Sequence, residues 1–295
     1  MICKGRNVKQ RQKLHKTGWG GTWLLLLLLS MISFGSPSFG HEAWLSPQAY
    51  IKKSDMSVRA DIRIGQNFTG DGLRYLPQKI ATLAFLTQDG QQAITGRLGD
   101  QPAIQATAPI QGQNILIYQS QPEKIVYQNF DKFADFVREK ADESLLNTHQ
   151  QRGLPEKDFT ETYIRFAKTI LIRGTDAPGL ADRYSGMEVE FVAENDTPQN
   201  DAPHNKDTRP LSFRLFYQGK PLAGAKVTIF EKGSDGKIST ENHRTDAQAR
   251  VYLKPKSGHE YLIDHVTIRP PLNGKNPMGA AWESLWASIT FYYPQ

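Results

Sequence analysis

The residues best suited to chemistry in this chain stand at a boundary. His41 follows Gly40 at the end of an apolar leader, so a cut after Gly40 would make histidine the first residue of what remains. An α-amino group gives up its proton near a pKa of about 8, far more easily than lysine does, and its nitrogen can close a chelate ring with Nδ1 of the same residue. Nitrogen ligation of this kind suits nickel, cobalt or copper, with zinc also within range. Such a site calls for a second imidazole. His265, in the run Tyr261-Leu262-Ile263-Asp264-His265-Val266, is the candidate, and strand alternation turns Asp264 to the opposite face. His259, Glu42 and Glu283 are reserve ligands.

Each of these residues has a plainer reading. A single histidine on a strand is commonly a hydrogen-bonded structural residue, and His149 at a helix end suits the helix dipole. His204 lies in a polar run and reads as solvated. Trp44, Trp282 and Trp286 read as core aromatics, or as walls of a site. Glu161, Tyr163, Arg165 and Lys168 alternate with apolar residues, and Arg165 and Lys168 read as structural ion pairs, with carboxylate binding as the alternative. No His-Glu-x-x-His, Gly-x-Ser-x-Gly or phosphate-cradling glycine motif occurs in the sequence. An enzyme reading survives in one form, a copper oxidase with an amino-terminal histidine brace. A metal-free sandwich that contacts proteins or glycans is the third reading.

Everything before His41 reads as a secretory signal over 1–40. Lys4, Arg6, Lys9, Arg11, Lys13 and Lys16 form a basic head, Leu24 to Leu29 an apolar run, and Ser38 and Gly40 a small-residue cleavage site. Serines, Gly35 and Pro37 shorten the apolar run below the roughly 20 residues that a membrane span needs. The chain has 36 Lys and Arg against 30 Asp and Glu, and the leader holds six of those bases and no acid, which leaves the remainder formally neutral. Basic overall charge therefore says nothing about nucleic acid, and no basic stripe with interleaved aromatics points that way. The single cysteine, Cys3, is also in the leader. Without thiols the rest of the chain has no disulfide and no thiolate metal site, and its core alone must hold it together. With no second long apolar segment, it is not expected to be embedded in a membrane.

Periodicity predicts the elements that carry these residues. Ser57 to Ile64 alternates as a half-buried strand, Ile80 to Leu86 and Asn114 to Tyr118 are further β-prone runs, and Gly65 and Gly70-Asp71-Gly72 punctuate them. From Asp131, a candidate N-cap, to Gln150 the apolar residues Phe133, Phe136, Val137, Ala141, Leu145 and Leu146 fall at helical spacing. Asp158 to Arg165 reads as a short helix, or Tyr163 to Ile172 as the start of a strand. Residues 196–209 are a polar linker and the best domain boundary, dividing a β-rich domain over 41–195, with its helix near 131–150, from a second over 210–295. In that second part Leu211 to Tyr217, Ala225 to Glu231, Ala249 to Leu253 and Tyr261 to Ile268 follow one another through tight turns, the pattern of a small Ig-like β-sandwich. The fold class expected is all-β, mainly an antiparallel sandwich, with one inserted helical segment.

Several segments, taken in order, resemble the DUF4198 family of secreted bacterial proteins, some of them described as periplasmic components of nickel or cobalt uptake. They are His41-Glu42-Ala43-Trp44-Leu45-Ser46-Pro47, Glu161 to Lys168, Gly186-Met187-Glu188-Val189-Glu190, Gly219 to Val227, Thr245-Asp246 and Trp286 to Phe291. The resemblance implies a periplasmic or secreted all-β protein whose C-terminal half is prealbumin-like. It also implies a late-strand histidine, here His265, and delivery of nickel or cobalt to a membrane uptake transporter. Gln248 departs from the glycine common after the Thr-Asp turn.

Overall fold

The computed structural model describes residues 41–174, 179–194, 210–272, 276 and 278–294; the leader 1–40 and the linker 196–209, His204 included, lie outside them. The chain runs through β1 (Glu42–Pro47), β2 (Ile51–Lys52), β3 (Ser57–Gln66), β4 (Thr69–Gly72), β5 (Ile80–Thr87), β6 (Gly90–Ala93), β7 (Ile104–Thr107), β8 (Gly112–Ser120) and β9 (Glu123–Tyr127). Two helices follow, α1 (Phe130–Lys140) and α2 (Ser144–Gln151), and then β10 (Phe159–Arg173) and β11 (Val189–Ala193). Beyond the linker come β12 (Leu211–Tyr217), β13 (Lys220–Pro221), β14 (Lys226–Lys232), β15 (Ile238–Arg244), β16 (Arg250–Leu253), β17 (His259–Arg269) and β18 (Trp282–Tyr293).

The expected all-β sandwich is the fold found. A ten-stranded sheet, with the central order β15-β14-β17-β18-β10-β8-β5-β6, forms its middle layer. On one face lies the four-stranded sheet of β11, β12, β13 and β16, and a continuous core joins them through Phe166, Ile170, Phe191, Phe213, Ile263, Ala287 and Phe291. On the other face lies the sheet of β1, β3, β4 and β7, packed through Leu45, Ile62, Phe85, Leu116 and Leu171. The two helices cover the remaining part of that face, over Phe133, Phe136, Val266, Trp282 and Trp286. No helix among the described residues is long and apolar enough to cross a membrane.

Residues 196–209 do not separate two independent cores. β10, from before the linker, pairs in parallel with β18, from after it, over Glu161 to Thr169. The apolar residues of both halves fill one cluster, and residues from Phe39 onward form one compact unit. The strands of the C-terminal part lie in two facing sheets, but those sheets also take in β10 and β11 from before the linker.

The helical segment is broken once. Asn129, not Asp131, caps α1, its side chain accepting from Lys132 N at 3.2 Å. α1 ends as Ala141 turns extended (φ −135°), and the Asp142 carboxylate accepts from Ser144 N at 3.3 Å at the start of α2. Such a local side-chain bond competes with the helical ladder. Between the two readings of the next stretch the structure decides for strand: β10 runs unbroken for 15 residues.

Candidate functional site

His41 stands one residue before β1, half-buried, with its Nδ1 buried and no hydrogen-bond partner for that atom among the described residues. A buried polar atom normally has a partner, so this one is unusual. Glu42, next along, points into the protein and is 1% exposed. Its Oε1 meets Lys140 Nζ at 2.5 Å and its Oε2 accepts from Asn67 N at 3.1 Å. That second donor comes from the β3–β4 turn, where Asn67 (φ 53°) and Phe68 (φ 58°) are both left-handed, the geometry that suits a two-residue hairpin. Gly65 and Gly70 let the two strands close: a Cβ on Gly65 would lie 2.0 Å from Thr69 O. Phe68, an unfavourable residue for that conformation, packs edge-on to Trp44 with centroids 5.5 Å apart.

Lys140 is the centre of this cluster. It closes α1 on the helix's apolar stripe and is 3% exposed, in contact with Asp264 Oδ2 at 3.3 Å as well as Glu42. Its Nζ lies 5.7 Å from the centroid of Trp286 and 5.9 Å from that of Phe230, in range for cation–π attraction. Burial pulls the Lys140 ammonium toward neutrality, but Asp264 and Glu42 outweigh it and hold the pKa above the usual lysine value. For Asp264, burial is the larger influence and pushes the carboxyl up to about 7 against the pull of Lys140, with Glu42 adding to the rise. Asp264 Oδ1 is buried and has no hydrogen-bond partner among the described residues.

His265 is not brought to this cluster. Its neighbours Tyr261 and Ile263 on the same face of β17 belong to the core beneath β11 and β12, whereas Asp264 meets Lys140 on the face that carries β1 and α1. The ten-stranded sheet therefore stands between the His265 ring and Glu42. Both ring nitrogens are engaged, Nδ1 with Lys226 O at 2.7 Å and Nε2 with Thr267 Oγ1 at 2.9 Å, and burial lowers its pKa to about 4. It is the structural histidine of the plainer reading. Among the described residues, His265 therefore does not supply the second imidazole expected on the His41 side.

The reserve ligands are dispersed. His259, six residues back along β17 and so roughly 20 Å from His265, places Nδ1 3.1 Å from Glu231 Oε1. Glu283 is held by Arg269 at 2.6 Å. His149 corrects the helix-dipole expectation: it is fully buried, Nδ1 accepts from Trp282 Nε1 at 3.0 Å, Nε2 faces Pro155 O at 3.1 Å, and burial lowers its pKa. A neutral ring wedged between Phe130 and Phe159 carries no charge for a dipole to hold. Trp44, Trp282 and Trp286 are core residues. No three His, Cys, Asp or Glu side chains among the described residues are grouped to hold a metal ion.

The family model DUF4198, a domain of unknown function, matches residues 38–269. The chain belongs to the DUF4198 family. A search of curated proteins finds no match. In this DUF4198 chain the match begins three residues before His41 and takes in Glu42, Lys140 and Asp264.

Three buried ionisable groups in the DUF4198 domain went unread as such in the sequence. Lys140 had a signal, since it continues the stripe of Phe133, Phe136 and Val137 at i+3 and i+4. Lys168, 0% exposed, forms the expected structural ion pairs, with Asp182 at 2.9 Å and Glu190 at 2.7 Å. Glu161, 2% exposed, has only hydroxyl partners, accepting from Ser284 Oγ at 2.5 Å and Tyr127 OH at 3.0 Å, and burial pushes it up to about 7 against those bonds. Arg165 lies over the ring of Tyr163, 4.4 Å from its centroid.

Proposed function

We propose that this protein binds a divalent transition metal outside the cytoplasm, through the amine and Nδ1 of His41 once the leader has been removed after Gly40. The observation that carries the reading is the buried, unpartnered Nδ1 of His41 beside the start of β1. Two nitrogens of one residue suit nickel, cobalt or copper, with zinc also within range, and the resemblance to nickel and cobalt uptake components turns the choice to nickel or cobalt. Because His265 faces the other side of the sheet, one residue supplies the protein's nitrogen donors and the other coordination positions stay open. An open shell suits a protein that hands its cargo to a membrane uptake transporter rather than one that stores it. The same arrangement counts against the copper histidine brace, which needs two imidazoles in one site.

The test is the amino-terminal mass and metal content of protein purified from the periplasm, followed by nickel and cobalt titration. The expected result is a chain that begins at His41 and binds one metal ion, with at least tenfold weaker binding in His41→Ala and unchanged binding in His265→Gln. Wild-type protein that begins at His41 yet binds no better than His41→Ala sinks the reading and leaves a metal-free sandwich.

A further inference from the structure

We propose that Lys140 and Asp264 become joined by an intramolecular amide bond, with Glu42 as the group that moves the proton. The three side chains are 3%, 1% and 1% exposed, and Lys140 Nζ touches both carboxylates, at 2.5 Å from Glu42 Oε1 and 3.3 Å from Asp264 Oδ2. Reacting groups held in contact in a fixed orientation have lost in advance the entropy that makes amide formation slow between free molecules.

The energetics favour condensation at this position. One ammonium and two carboxylates share a site taken out of water, with the half-exposed Glu139 carboxylate 3.4 Å from the ammonium at its edge, and the cost of desolvating charge in such a place is several kcal/mol per ion. Asp264 Oδ1 receives no hydrogen bond among the described residues, so its carboxylate carries a large part of that cost unrelieved. Replacing ammonium and carboxylate by a neutral amide removes one charge of each sign. Phe230 and Trp286 flank Nζ and give the amide an apolar setting.

The balance is simple. Glu42 Oε1 accepts a proton from the Lys140 ammonium. The freed lone pair on Nζ attacks Cγ of Asp264, Glu42 passes its proton to Oδ2 and takes a second from the attacking nitrogen, and as the Cγ–Oδ2 bond breaks Glu42 delivers that second proton to the departing oxygen. Two of the three ammonium protons leave in one molecule of water, the third stays on the amide nitrogen, and Glu42 returns to its starting form. Nothing is oxidised or reduced.

A control is built into the same molecule. Lys168 also lies between two buried carboxylates, but Asp182 accepts from Arg183 N and Ala193 N, both at 2.8 Å, and Glu190 accepts from Ser185 N, Gly186 N and Met187 N. Donors on every side keep those carboxylates stable as ions, and no amide is expected there.

The test is the intact mass of the wild-type mature protein, followed by proteolytic mapping. The expected result is a mass one water below that of the sequence, a linked peptide pair containing Lys140 and Asp264, and the full mass in folded Lys140→Arg and Glu42→Gln. A wild-type protein of full mass overturns the proposal, as does a deficit that maps elsewhere or persists in Lys140→Arg. A deficit retained in Glu42→Gln overturns the assignment of Glu42. None of these readings depends on metal.

Discussion

Two lysines are buried on opposite faces of the ten-stranded sheet, each between two buried carboxylates, with the half-exposed Glu139 also 3.4 Å from Lys140, and the buried carboxylates differ in their donors. Around Lys168 the carboxylates of Asp182 and Glu190 are filled by backbone N–H groups of the 182–187 segment and β11, and Glu190 also accepts from Ser185 Oγ. Among the described residues, Glu42 accepts a backbone N–H from Asn67 beside Lys140, while one oxygen of Asp264 has no donor. Coulomb attraction is available to both triads. Hydrogen-bond saturation is what separates a stable buried ion pair from a strained one, because a desolvated carboxylate needs its lone pairs satisfied as well as its charge. The first triad pins a loop to the sheet; the second sits beneath His41 at the candidate site and keeps chemical potential in reserve.

The largest expected effect comes from breaking the second triad. Lys140→Met removes a cross-link between positions 124 residues apart, and loop-closure entropy puts the loss at about 5 kcal/mol. The unfolded variant is freer to expand, so the dependence of stability on denaturant should steepen. Lys168→Met should cost roughly 3–5 kcal/mol, by stranding two buried carboxylates, and leave that dependence unchanged because no covalent loop is lost. Urea titration of both variants with wild type measures both quantities. Equal slopes in all three proteins would remove the distinction between the triads.

Glu161 extends the comparison to a buried carboxyl with no cation at its side chain, only Ser284 and Tyr127. Its folded pKa of about 7 is above the unfolded value of about 4.3, so the native state holds the extra proton between those limits. Stability attributable to this group is therefore full below about pH 4 and falls as pH rises toward 7, by on the order of 3 kcal/mol. Glu161→Gln keeps the shape and never ionises. Thermal or urea unfolding at pH 5 and pH 8 should show the variant close to wild type at the lower pH and more stable at the higher one. A variant that tracks wild type at both would mean that Glu161 is ionised in the native protein throughout.

Much of the frame was legible in the residues, and the gaps have physical causes. Alternation places β3 and β12, and β-prone runs between tight turns place β14, β16 and β17, although β17 is buried on both faces over most of its length. The parallel pairing of β10 with β18 was hidden, since periodicity describes a strand's faces and not its neighbours. The polar linker reads as a domain boundary because composition reports that a segment cannot form a core; it does not report whether the strands on either side share one. At the site, alternation turned Asp264 away from His265, as found, but the same rule should have turned His265 away from the β1 side. Lys140 was readable from helical spacing as a charge on an apolar stripe. The saturation of Glu190 was not, because it depends on the path of a loop that no periodicity describes.

That saturation can be tested one donor at a time. Ser185→Ala deletes the hydroxyl that lies 2.9 Å from Glu190 Oε2 and 3.0 Å from Oε1, and keeps the backbone N–H of the same residue at 3.0 Å. The Lys168 contact at 2.7 Å and the N–H groups of Gly186 and Met187 stay in place. Losing one of several bonds to a charged acceptor that remains paired should cost about 1.5 kcal/mol, the low end of the range for such groups. Urea denaturation reads it as a small shift of midpoint at unchanged slope. A loss near that of Lys168→Met would show that the carboxylate depends on every donor, and that the two triads differ less in saturation than their geometry implies.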